Sequence, residues 1–96
     1  MVIAQISIAP VGKGIDLGEY VKEAIEIFQK YGVSYETNDM ATIVETKDLD
    51  TLFSLVKDAH NAVLKKGANR VITEIKLDDR KDKFVRLGEK SSSVTE

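Results

Sequence analysis

The chain has no cysteine and no tryptophan, and only one proline and one histidine among its 96 residues. Without cysteine there is no disulfide, no thiolate nucleophile and no thiolate metal site. His60 has no HxxxH or HxH partner, so the sequence offers no histidine pair for zinc. Apolar stretches run for only a few residues, far short of the roughly 20 that a membrane helix needs. The opening Met1-Val2-Ile3-Ala4-Gln5 has neither a basic start nor a long apolar run. No secretory signal is expected from it, and the expected location is cytoplasmic.

A large charge of either sign is also missing. Fourteen basic residues stand against sixteen acidic ones, for a net charge of −2. Nucleic-acid binding leaves a basic footprint. Here the densest basic stretch, Arg80-Lys81-Asp82-Lys83, follows directly on Asp78-Asp79 and is nearly neutral. Neither nucleic acid nor membrane is an expected partner.

What is present is a clear alternation of periods. Val2 to Ala9 places Ala4, Ile6 and Ile8 on one face and Gln5 and Ser7 on the other, the signature of a strand that Pro10 ends. Gly12-Lys13-Gly14 is a connection, after which Asp16 can cap a helix reaching about Tyr31. Leu17, Tyr20, Val21, Ala24, Ile25 and Phe28 form its apolar stripe, and Gly32 stands where a helix stops. Val33 to Thr37 and Met40 to Thr46 read as an antiparallel pair joined by an Asn38-Asp39 turn. Asp48 or Asp50 opens a second helix, with the stripe Leu49, Leu52, Phe53, Val56, His60, Val63 and Leu64 and a stop at Gly67. Val71 to Leu77 is a fourth strand. Phe84 and Leu87 can anchor a short closing helix in the charged remainder, against Gly88 and Ser91-Ser92-Ser93.

The order βαββαβ predicts an α+β, ferredoxin-like sandwich. Right-handed crossovers put both helices on one face of a four-stranded antiparallel sheet. The domain is expected over residues 1–83, with 84–96 as a charged, serine-containing tail. The other face of the sheet must meet water, a ligand or another subunit.

Several constellations could carry chemistry. Gly12-Lys13-Gly14 lacks the spacing of either phosphate-binding glycine motif, so a flexible connector is the leading reading. His60, on the edge of an apolar stripe, reads as a packed boundary residue. Asp78, Asp79 and Asp82 lack the glycine and closing glutamate of a calcium loop, and their basic neighbours favour a salt-bridged corner over a metal site. Glu45 carries more information. A carboxylate on a central strand costs free energy unless it is paired or near water. Gln5 and Ser7 are polar on the neighbouring strand, and register decides whether they share its face.

Four segments together resemble a small family of thiamine-binding proteins. They are Ala4-Gln5-Ile6-Ser7-Ile8-Ala9-Pro10-Val11-Gly12, Met40-Ala41-Thr42-Ile43-Val44-Glu45, Lys57-Asp58-Ala59-His60 and Thr73 to Asp82. The resemblance runs collinearly over residues 2–83, with Ala41 where the family motif often has glycine. It implies a ferredoxin-like subunit that forms homodimers or homotetramers. It also implies binding of thiamine or its hydroxymethylpyrimidine moiety, without turnover and without a cofactor. Gln5, Ser7, Asn38, Thr42, Glu45 and Thr73 are the candidate ligand-binding residues; none is assigned a catalytic or metal-binding role. The expected function is therefore a non-enzymatic carrier or sensor. The alternative is an interaction module whose open sheet face only builds a homo-oligomer.

Overall fold

In the computed structural model, residues 1–12, 18–38 and 40–81 are described. The elements run β1 (Val2–Pro10), α1 (Gly18–Tyr31), β2 (Ser34–Thr37), β3 (Thr42–Thr46), α2 (Leu49–Lys66) and β4 (Val71–Asp79). The expected helix start at Asp16, the Lys13-Gly14 part of the connection, Asp39 of the turn and the tail with its Phe84–Leu87 helix lie outside the described residues.

Local chemistry sets the helix limits. Asp48 is extended, and its carboxylate accepts the Thr51 N–H at 2.8 Å, which satisfies one of the free donors of α2's first turn. At the far end Gly67 adopts φ +132° and donates its N–H to the Leu64 carbonyl. Gly32 closes α1 with φ +69° and an N–H bond to Gln29. A side chain at either backbone setting would be strained, which is why glycine stops both helices.

The sheet order is β2-β3-β1-β4, and every neighbouring pair is antiparallel. This is the ferredoxin-like arrangement. Ala4 stands opposite Val44, and Ile6 opposite Thr42. Val2, Ala4, Ile6 and Val44 press on Ala24 and Phe28 of α1 and on Leu52, Leu55, Val56 and Ala59 of α2. Phe28, Leu52, Leu55 and Val44 are essentially inaccessible. Each such side chain contributes about 1.5–3 kcal/mol on burial. The Tyr35 ring of β2 lies against Phe28, centroids 6.0 Å apart and tilted by 51°.

Strand limits differ from the sequence reading in two useful places. β3 starts at Thr42 and not at Met40, because Asn38 takes the N–H groups of both Met40 and Ala41 on its own Oδ1, at 2.9 Å each. Those donors are then unavailable to a ladder. β4 runs to Asp79, two residues beyond Leu77, because Val2 and Ile3 continue to pair with Asp79 and Asp78.

Candidate functional site

The register divides the sheet residues by parity. Ile3 faces Glu45 and Gln5 faces Ile43, so Gln5, Ser7 and Glu45 belong to the face away from the helices. Across that face, one row reads Ser34, Glu45, Ile3, Asp78. Glu45 is only 5% exposed and is not without a partner. Gln5 is exposed. Thr42 is three residues from Glu45 and therefore on the helix face, where its hydroxyl meets that of Thr37 at 3.3 Å. Thr73 is also on the helix face, and its hydroxyl is 2.6 Å from His60 Nδ1. The six candidate residues do not converge on one point.

Three of them do. The pairing of β1 with β3 ends at Ile6–Thr42, while β1 continues to Pro10 against β4 alone. Where β3 parts from β1, a cleft of about 220 Å³ opens beneath α1. Ser7 belongs to its β1 wall, although its side chain has the parity of the other face, and Asn38 and Thr42 are on the wall formed by the β2–β3 turn. Ile6, Ile8, Ala24, Ile25 and Phe28 supply an apolar floor, and Val21, Ala41 and Met40 stand round the opening. Met40 is 85% exposed and Val21 45%.

The polar groups of this cleft have distinct tasks. Both turn donors already occupy Asn38 Oδ1, so its amide nitrogen is the part left to face a ligand. The Thr37 and Thr42 hydroxyls share one hydrogen between them and retain acceptor capacity. No Asp, Glu, Lys, Arg or His is found among the described lining residues. Among the described residues, a group in this cleft meets hydroxyls, one amide, the Met40 thioether and hydrocarbon.

The sequence reading missed Met40, Ala41, Val21 and Ile25 as site residues. Val21 and Ile25 belong to the α1 stripe and were expected in the core, and they become cleft walls only because β3 is short. His60, of intermediate burial, is the boundary residue its position suggests. Among the described residues, no three His, Asp or Glu side chains converge as metal ligands.

The architecture is that of a ferredoxin-like domain with an apolar cleft at the open end of its central strands. The chain belongs to the thiamine-binding protein family, whose model matches residues 4–95. Its relatives include the UPF0045 protein MJ1052 of Methanocaldococcus jannaschii, 43% identical over 95 residues, or 99% of this chain and 93% of that one. A UPF0045 protein of Methanothermobacter thermautotrophicus is 42% identical over 97 residues, covering 100% and 98% of the two chains. The crystal structure of MJ1052 superposes with a TM-score of 0.89 at 42% identity, over 98% of this chain and 95% of that one. A candidate thiamine biosynthesis or salvage protein of Thermotoga maritima shares the fold, with a TM-score of 0.81 at 24% identity and 97% of each chain covered.

Proposed function

We propose that this protein binds thiamine or its hydroxymethylpyrimidine moiety in the cleft between α1 and the β2–β3 turn, without turning it over, as a cytoplasmic carrier or sensor. The observation that carries this reading is the cleft itself: an apolar floor, a few uncharged polar groups and no ionisable wall among the described residues. Such a lining is what a small-molecule site requires.

Size and charge both favour the pyrimidine half. About 220 Å³ falls below the roughly 300 Å³ at which drug-sized pockets begin, and suits one ring better than two. Burying a cation without a counter-charge is costly, so the thiazolium of thiamine belongs outside this lining. An aminopyrimidine is neutral and flat. Its ring nitrogens match the Asn38 amide, and its amino group matches the Thr37–Thr42 oxygens. Binding without turnover is supported by His60, whose Nδ1 meets Thr73 and which does not line the cleft.

Calorimetric titration tests the reading. Hydroxymethylpyrimidine should give a saturable heat and raise the melting temperature, with thiamine weaker. If millimolar concentrations of both leave heat and melting temperature unchanged, the proposal fails.

The chain also carries features that suit assembly with copies of itself, as a homodimer or homotetramer. Ile72, Ile75 and Leu77 of edge strand β4 are 46%, 38% and 38% exposed, and Phe53 of α2 is 50% exposed. The interaction-module reading draws on this same surface and would make such assembly the whole function.

A further inference from the structure

We infer that Met40 is a site of reversible oxidation, and that converting its thioether to the sulfoxide loosens the hold of the cleft on its ligand. This rests on the reading of the cleft as a small-molecule site and adds a way of adjusting its affinity. The modifying agent is a peroxide, and the group modified is a single side chain at the mouth of the site.

Met40 is 85% exposed, more than any other large apolar side chain among the described residues; Phe53, the next, is 50% exposed. One exposed apolar residue on a surface needs no explanation by itself. Position gives this one its meaning. Met40 stands at the opening of the cleft beside Val21 and Ala41. Its N–H and that of Ala41 both go to Asn38 Oδ1, and the Asn38 N–H returns to the Ala41 carbonyl. The turn therefore fixes the Met40 backbone while presenting its side chain to water. What can move is that unbranched side chain, whose rotatable bonds let the thioether swing onto a flat ring held in the cleft. Sulfur against an aromatic ring is a favourable contact.

Sulfur is confined to two places in this chain. There is no cysteine, and Met1 is the only other methionine. Met1 is of intermediate burial and does not line the cleft. No thiol competes for an oxidant, so a peroxide meets the far more exposed Met40 first. The step is a two-electron oxygen transfer. The sulfur lone pair attacks one oxygen of hydrogen peroxide, and the S–O bond forms as the O–O bond breaks. The departing hydroxide takes up the proton left on the transferred oxygen and leaves as water. The product is polar where the thioether was apolar. Its oxygen accepts hydrogen bonds and donates none, and the amide nitrogen of Asn38 is engaged by the ligand. Folding the sulfoxide over the ring therefore buries a polar group without a partner, which costs free energy. A thiol-dependent methionine sulfoxide reductase reverses the step, two thiols giving one disulfide and water.

The test uses the full chain, hydrogen peroxide and hydroxymethylpyrimidine. Peptide mass mapping after mild treatment should show an added oxygen at Met40 ahead of Met1. Saturating hydroxymethylpyrimidine should slow oxidation at Met40 and not at Met1. Calorimetry on oxidised samples with unchanged circular dichroism should show affinity for hydroxymethylpyrimidine lowered by about tenfold, the scale of burying an unpartnered polar group. A methionine sulfoxide reductase should restore it. Met40→Leu sets its own baseline of affinity, and peroxide should leave that baseline where it stands. This inference alone is overturned by oxidised Met40 with undiminished affinity, by an equal loss in Met40→Leu, or by a Met40 oxidation rate indifferent to ligand. Untreated protein that binds no hydroxymethylpyrimidine overturns both this inference and the reading of the cleft.

Discussion

Asn38 and Ala41 are tied to one another twice: the Asn38 N–H donates to the Ala41 carbonyl, and the Ala41 N–H donates to Asn38 Oδ1, both at 2.9 Å. The same oxygen also holds the Met40 N–H. This closed turn keeps β3 from zipping further along β1, and so holds the cleft open. Asn38→Ala should lower stability by about 1 kcal/mol, the net worth of such bonds at an exposed turn. Asn38→Asp keeps the acceptor and loses only the amide donor. It should melt close to the wild type yet bind the pyrimidine more weakly, as read by denaturant titration and calorimetry on the same samples.

Ala41 stands at the cleft opening. A larger side chain there should fill the space without disturbing the core, because Ala41 is not part of the buried cluster. Ala41→Leu is expected to keep its far-ultraviolet spectrum and lose at least about tenfold in ligand affinity, or about 1.4 kcal/mol.

Tyr31 of α1 donates its hydroxyl to Asp58 of α2 at 2.5 Å. That bond, helped by burial and by the Asp58 charge, raises the phenol above its ordinary value. A raised folded value means that the contribution is fully present below about pH 10, where the unfolded phenol titrates, and is lost as pH rises through the higher folded one. Tyr31→Phe should melt lower than the wild type at neutral pH. The gap should close in strongly alkaline buffer, as followed by thermal melts across pH.

Asp48 behaves with the opposite sign. Its bond from Thr51 holds the carboxyl below its ordinary value, with Lys47 assisting. A lowered folded value gives a contribution present above the unfolded carboxylate value near about pH 3.9, lost as pH falls through the lower folded one. Asp48→Ala should therefore melt below the wild type at neutral pH, and the difference should shrink in acid. Asp48→Asn, an equally good cap without a titrating group, should remove that acid dependence.

The fold was legible because its signals are local. Apolar spacing marked the α1 and α2 stripes, and Gly32, Asp48 and Gly67 marked their ends. The site was legible only in part. Strand parity alone separates Thr42 from Glu45, three residues apart on one strand, and that information is present in the sequence. The shared face of Gln5 and Glu45 is different, because it depends on which residues of β1 and β3 pair. The bond between His60 and Thr73 needs the placement of α2 over β4, which no spacing encodes. The cleft depends on where β3 leaves β1, and a single side-chain acceptor at Asn38 sets that point. Residues such as Val21 and Ile25, apolar and in phase with the core, carry no mark that distinguishes a wall from a filling.

Amide shifts of the full chain in solution, followed while hydroxymethylpyrimidine is added, test the placement of the ligand most directly. Binding in the cleft predicts saturable shifts at Ser7 to Ala9, Asn38 to Thr42 and Val21 to Ile25, with Gln5, Ile43 and Glu45 little changed. Shifts concentrated at Gln5, Ile43 and Glu45, or no shifts at all, would contradict it.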